Sequence, residues 1–217
     1  TAYITGRREF MGLDFAVSRA TLIPRPDTEI LVEAAIERLG RLAQNGKKSL
    51  RFADIGTGTG AIALSVLKYA SEDVAADAVD VSGAALAVAR ENAERLGLSA
   101  RVHFHEGDIL APLGDAAYDA ILSNPPYIPG ADIESLAPEV RSYEPMTALK
   151  GGAEGMDFYA RLVEAAPQYL RAGGFLAVEA GIGQAQKIRA LAKEPWGDVE
   201  ILPDLAGIER VVVLWRK

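Results

Sequence analysis

Asp54-Ile55-Gly56-Thr57-Gly58-Thr59-Gly60 stands between a β-rich run, Leu50 to Ile55, and a segment of helical spacing, Gly60 to Ala70. Glycines at alternate positions permit a tight turn whose backbone approaches a ligand, and the helix that follows offers free N–H groups. Asp80 ends the next β-rich run, 20 residues past Gly60, where a carboxylate can accept both hydroxyls of a ribose. Together these features read as a site for an adenosine-containing cofactor at the carboxyl ends of parallel strands.

Outward from the loop the pattern continues. Val74 to Val81, Arg101 to His105, Tyr118 to Ser123, Gly174 to Ala180, Val199 to Leu202 and Arg210 to Trp215 read as further strands. Gly83 to Leu96, Met156 to Arg171 and Gln184 to Lys193 carry apolar residues at three-to-four spacing, the helical period. This alternation predicts an α/β fold with a doubly wound, mostly parallel, seven-stranded sheet. The last two strands, joined by Pro203 to Glu209, fit a terminal antiparallel pair. At the front, Arg8 to Val17 reads as a β-hairpin around Gly12. A proline-rich lead-in, Leu22 to Glu29, follows it, with Asp27 placed to cap a helix over Ile30 to Leu42. The expected division is 1–28 for hairpin and lead-in and 29–217 for the cofactor-binding domain.

Composition narrows the function. The 217 residues are 49% hydrophobic and include no cysteine, which removes thiol nucleophiles, zinc–cysteine sites and disulfides. The longest apolar run, Ala84 to Ala89, is far below the roughly 18 residues of a membrane span. No membrane partner and a cytoplasmic location are the expectations. The net charge of −7 resolves into +2 over residues 1–50 and −9 over 51–217, which argues against direct nucleic-acid binding. His103 and His105 share one side of a strand but lack a third ligand, so no metal is expected.

The identity of the cofactor is less direct, because Gly56 to Ala61 also satisfies the dinucleotide pattern G-x-G-x-x-G/A. Two features shift the balance from NAD to S-adenosylmethionine. Asp54 can anchor the loop and face a cationic or amino-bearing ligand. Gly107-Asp108-Ile109 offers a carboxylate and an apolar side chain to an adenine.

A second motif, Asn124-Pro125-Pro126-Tyr127, directly follows the fourth strand of the sheet. An amide or exocyclic amine nitrogen is a poor nucleophile, and its N–H bonds must be held so that the lone pair points at an electrophile. Asn124 Oδ1 and the Pro125 carbonyl supply two acceptors, and Tyr127 can pack over a planar group. An oxidoreductase would leave this tetrapeptide without work. A silent adenosyl-binding module would leave its acceptors unused.

On these residues the chain resembles the HemK/PrmC family of class I S-adenosylmethionine-dependent methyltransferases, which have a Rossmann-like fold. The similarity extends to Ile23-Pro24-Arg25-Pro26-Asp27-Thr28-Glu29, Glu139-Val140-Arg141, Tyr143-Glu144-Pro145 and Gly151 to Tyr159. The resemblance implies methyl transfer, with S-adenosylhomocysteine as product, to the glutamine amide of the Gly-Gly-Gln motif in peptide chain release factors. It implies that Gly56, Thr57, Gly58, Thr59 and Gly60, with Asp54, hold the methionine part of the cofactor. Asp80 would bind the ribose, Asp108 and Ile109 would flank the adenine, and Asn124 would serve cofactor and substrate. Pro125, Pro126 and Tyr127 would line the glutamine. In this family an aromatic residue often stands where the chain has Ile109. The family also carries a small helical domain ahead of the hairpin; the chain opens at Thr1, at the hairpin itself, as expected of a piece lacking that domain. An alternative with the same chemistry is methylation of an exocyclic amine on adenine or guanine of RNA or DNA. Arg25, Glu29, Arg141 and Glu179 have open roles, between closing over the site and holding structure together.

Overall fold

The computed structural model describes residues 2–115, 117–137, 141 and 143–217. Its elements run α1 (Ala2–Thr5), β1 (Arg7–Phe10), β2 (Leu13–Ala16), α2 (Glu29–Gln44), β3 (Arg51–Ile55), α3 (Ala61–Tyr69), β4 (Ala75–Asp80), α4 (Gly83–Leu96), β5 (Val102–Glu106), β6 (Tyr118–Ser123), α5 (Asp157–Tyr169), β7 (Leu170–Glu179), α6 (Ala185–Leu191), β8 (Trp196–Pro203) and β9 (Glu209–Arg216). Strands β3 to β9 form one sheet of order β5-β4-β3-β6-β7-β9-β8. The first five pair in parallel, and β9 runs antiparallel between β7 and β8. The doubly wound sheet with its antiparallel end matches the sequence reading.

The period of two along each strand explains why both faces are covered. Phe52, Ala120, Leu122, Phe175, Ala177, Val211 and Val213 are buried on one face with apolar residues of α2, α3 and α4. Their neighbours Ala53, Ile121, Leu176, Val178, Val212 and Leu214 are buried on the other, against α5, α6 and Trp196. Burial of both faces is what a parallel sheet with crossover helices requires. Phe10 and Phe15 of the hairpin join the first of these cores, edge to face with centroids 6.2 Å apart. Helix α4 is delimited locally: Ser82 accepts the Ala85 N–H at its start, and Gly97 takes a left-handed φ of 71° at its end.

Two local expectations are corrected. Asp27 does not cap the helix. It lies inside a 3₁₀ turn, Pro26–Thr28, and pairs with Arg210 at 3.1 Å, while Thr28 stands at the N-cap without a capping bond. The prolines tighten the chain one turn early and carry Asp27 outward. Strand β7 starts at Leu170, not Gly174, because Gly173 (φ 70°) lets the chain pass an irregularity in the β6 ladder. The aperiodic stretch 125–155 contains the 3₁₀ turns Gly130–Ser135 and Met146–Ala148, and Ile128 bridges to Lys150. Glu139 and Val140, part of the motif read in that stretch, lie outside the described residues.

Candidate active site

The sheet register assembles the site. Ile55 at the end of β3 pairs with Val79 on one side and Ser123 on the other, and Ser123 pairs with Val178. The next residue along each strand lies at the same edge of the sheet: Asp80, Gly56, Asn124 and Glu179 stand in a row. Chain order reverses between β3 and β6, the position where open α/β sheets form a crevice.

Gly56, Thr57, Gly58, Thr59, Asp80, Ile109, Asn124 and Pro126 line a cleft of about 980 Å³, counted with its open mouth. Three loop glycines take left-handed φ values of 73°, 56° and 80° at Gly56, Gly58 and Gly60. Val79 O accepts both the Gly56 and Thr57 N–H groups at 2.9 Å, which folds the loop back on β4. Asp80 then ties the loop to the turn after β4: Oδ2 accepts the Gly58 N–H and Oδ1 the Ser82 N–H, each at 2.9 Å. Gly60 turns into α3 and does not line the cleft.

Asp54 lies beneath the loop, fully buried, and not in the cleft wall. Its Oδ2 accepts the Thr57 hydroxyl at 2.6 Å and the Ala63 N–H at 3.2 Å, while Oδ1 has no hydrogen-bond partner among the described residues. Burial pushes this carboxyl up to about 7 against those two bonds. Asp108 turns away from the cleft to pair with Arg161. Ile109 stays, buried, with a left-handed φ of 52° that a β-branched side chain rarely adopts.

A smaller cavity of about 430 Å³ adjoins the cleft and is lined by Asn124, Pro125, Tyr127, Arg25 and Glu144 among others. Asn124, Arg25, Leu22 and Ala148 line both spaces, so Asn124 stands on the wall between them. The tetrapeptide is held from behind. A Cβ on Gly155 would sit 2.1 Å from Tyr127 O, and one on Gly151 2.6 Å from Pro126 O, so only glycine admits this approach. Gln184 Nε2 donates to Tyr127 O at 3.0 Å. Burial, then the nearby Glu179 charge, push the Tyr127 hydroxyl up to about 12, so it remains protonated at neutral pH.

Residues with open roles separate into distinct tasks. Glu29 Oε1 accepts the Met11 N–H at 2.9 Å and fastens the hairpin turn. Arg25 Nη2 pairs with Glu144 Oε1 at 2.5 Å, and the Arg19 guanidinium lies 5.3 Å from the centroid of the Tyr143 ring; both join the lead-in to the 143–149 stretch over the cleft. Arg141 donates to the Glu134 carbonyl at 3.1 Å. Thr28 and Glu179 are bonded to each other beside Asn124. His105 faces Asp77, with Nε2 2.7 Å from Oδ1, on a strand segment away from the cleft.

Two supporting residues escaped the sequence reading. Asn92 in α4 is buried and reaches Ala16 and the Thr59 carbonyl. Its signal was a polar residue on the apolar stripe formed by Leu86, Ala89 and Ala93. Gln184 was read only as the start of a helix; no sequence pattern marked its reach to Tyr127.

Residues 29–139 match the family model described as Methyltransferase small domain. A relative from Moorella thermoacetica, named release factor glutamine methyltransferase, is 48% identical over 99% of this chain and 74% of its own length. One of the same name from Geobacter sulfurreducens is 47% identical over 97% of this chain and 71% of its own. The fold is similar to a methyltransferase from Pyrococcus furiosus, with a TM-score of 0.66 at 21% identity over 94% of this chain and 89% of that one. Among the described residues no helix is long and apolar enough to cross a membrane. Near-full-length identity of this degree, with the tetrapeptide wall at the sheet's switch point, means that the chain belongs to the release factor glutamine methyltransferase family.

Proposed function

We propose that the chain transfers a methyl group from S-adenosylmethionine to the side-chain amide nitrogen of a glutamine in a peptide chain release factor, in its Gly-Gly-Gln motif. The observation that carries this reading is the position of Asn124, which lines the larger cleft and the smaller cavity at once. A donor and an acceptor held on either side of it would meet at its amide.

Two features support S-adenosylmethionine in the larger cleft. Each Asp80 oxygen accepts one backbone N–H and keeps a lone pair for a ribose hydroxyl. Ile109 and Val79 give the adenine end an apolar wall. Asp108 is committed to Arg161 and would act on the adenine only by leaving that pair.

When bound, S-adenosylmethionine supplies an electrophilic methyl group. The residues of this chain orient the acceptor. Asn124 Oδ1 and Pro125 O take the two N–H bonds of the glutamine amide, which turns its nitrogen lone pair toward the cleft. Tyr127, which lines the smaller cavity, packs against the amide plane and excludes water, while Pro126 faces the larger cleft. The surplus proton on nitrogen leaves to solvent, and no side-chain base is required. Orientation of this kind can supply roughly 7–11 kcal/mol of the barrier reduction in favourable cases.

Labelled methyl transfer to a purified release factor, run beside single-stranded RNA and DNA, tests the reading. Label in the protein is expected. Label confined to nucleic acid would favour the exocyclic-amine alternative.

A further inference from the structure

Glu179 is a buried carboxyl that the proposed reaction does not use. It is 2% exposed at the end of β7, beside Asn124. We propose that Glu179, acting through Thr28, is a positioning residue that determines which end of the Asn124 amide faces the substrate. The inference deepens the methyltransferase reading and rests on it.

The argument is one of hydrogen-bond polarity. An ionised carboxylate only accepts, so the Thr28 hydroxyl, 2.5 Å from Glu179 Oε2, must donate to it. That hydroxyl has one hydrogen, and with it committed Thr28 can only accept from its other neighbour. Asn124 Nδ2 accordingly donates to Thr28 Oγ1 at 3.1 Å. The nearby Asn124 side chain also favours the ionised carboxylate. The amide nitrogen is thus turned inward, and Oδ1 is the atom left for the cavities. Nothing in the shape of an asparagine enforces this, because the amide is nearly symmetric about its last torsion. Reversed, its oxygen would oppose a hydroxyl with no free hydrogen. An acceptor amide needs an oxygen at this point, and an NH₂ group there would repel it.

Protonation undoes the device. A neutral Glu179 can donate to Thr28, Thr28 can donate to Asn124 Oδ1, and the amide is free to reverse. Burial pushes the Glu179 carboxyl up to about 7, with Asp27 raising it further and the Thr28 bond, Arg210 and the Asn124 side chain lowering it. Tyr127 and Tyr159 also face it, both held protonated by burial. The ionised, competent form is therefore lost as pH falls through about 7.

The test follows kcat against pH at saturating cofactor and release factor, with ¹⁵N side-chain NMR of Asn124 in parallel. In the wild type, kcat should fall on the acid side near pH 7, and the Asn124 NH₂ signal should titrate with it. Glu179→Gln, whose amide both donates and accepts, should lower kcat roughly tenfold and abolish the acid limb and the NMR titration, with cofactor Kd unchanged. Thr28→Val should behave likewise, and Thr28→Ser should restore the wild-type profile. An acid limb that survives Glu179→Gln would overturn the proposal, as would a loss explained by weaker cofactor binding. If the wild type transfers no methyl while the NMR titration is present and abolished by Glu179→Gln, the functional reading fails and the positioning role stands.

Discussion

Asn92 and Ala16 pair as two strand residues would: Asn92 Oδ1 accepts the Ala16 N–H at 2.7 Å and its Nδ2 donates to Ala16 O at 3.0 Å. The same amide donates to Thr59 O at 2.9 Å, so one buried side chain joins the hairpin's second strand to the glycine loop. Replacing it strands a backbone donor and two acceptors away from water. Asn92→Ala should cost about 2–4 kcal/mol of stability, measured by urea denaturation, and weaken cofactor binding through the loosened loop.

Asp80 holds the loop and, on our reading, the ribose. Asp80→Ala removes a charged acceptor from both, and hydrogen bonds to charged groups are the strong ones. Isothermal titration should show S-adenosylhomocysteine bound roughly 10–100-fold more weakly, the range for losing one or two such bonds. An unchanged Kd would remove Asp80 from the cofactor site.

Gln184 fastens Tyr127 by its carbonyl and accepts the Gly181 N–H at 3.1 Å. Its loss frees the acceptor wall without touching the cofactor cleft. Gln184→Ala should lower kcat roughly 5–30-fold, as expected for 1–2 kcal/mol of lost positioning, with cofactor affinity intact. Equal losses in both would assign Gln184 to general stability instead.

Asp54 links stability to pH. Its folded-state carboxyl titrates at about 7, above the usual 3.8, so the folded protein binds a proton that the unfolded chain has released. The associated stability is full below about pH 4 and is lost as pH rises to about 7. Thermal melts between pH 4 and 8 should show this decline in the wild type and a flatter curve in Asp54→Asn, which keeps an acceptor for Thr57 and Ala63.

The parallel core was legible because the inner strands β3, β4, β6 and β7 bury both faces and the helices repeat their apolar spacing between them. Gly56 to Gly60 and Asn124 to Tyr127 were legible because their chemistry is local: a turn that needs glycine, a wall that needs proline. Asp27 misled because capping preference says nothing of an early 3₁₀ turn set by two prolines. The start of β7 was hidden because Gly173-Gly174 reads as a loop while the ladder accommodates it. The Asn92–Thr59 and Gln184–Tyr127 bonds and the Glu179–Thr28–Asn124 chain join segments 33 to 151 residues apart, which no local pattern records.

Peptide mapping by tandem mass spectrometry, after incubation of the chain with S-adenosylmethionine and a release factor, locates the transferred methyl group. We predict a single methyl group on the glutamine of Gly-Gly-Gln, reduced roughly 10²–10³-fold in rate with Asn124→Ala. A glutamine left unmodified, with the methyl group found on another residue or on a nucleic-acid base, would contradict it.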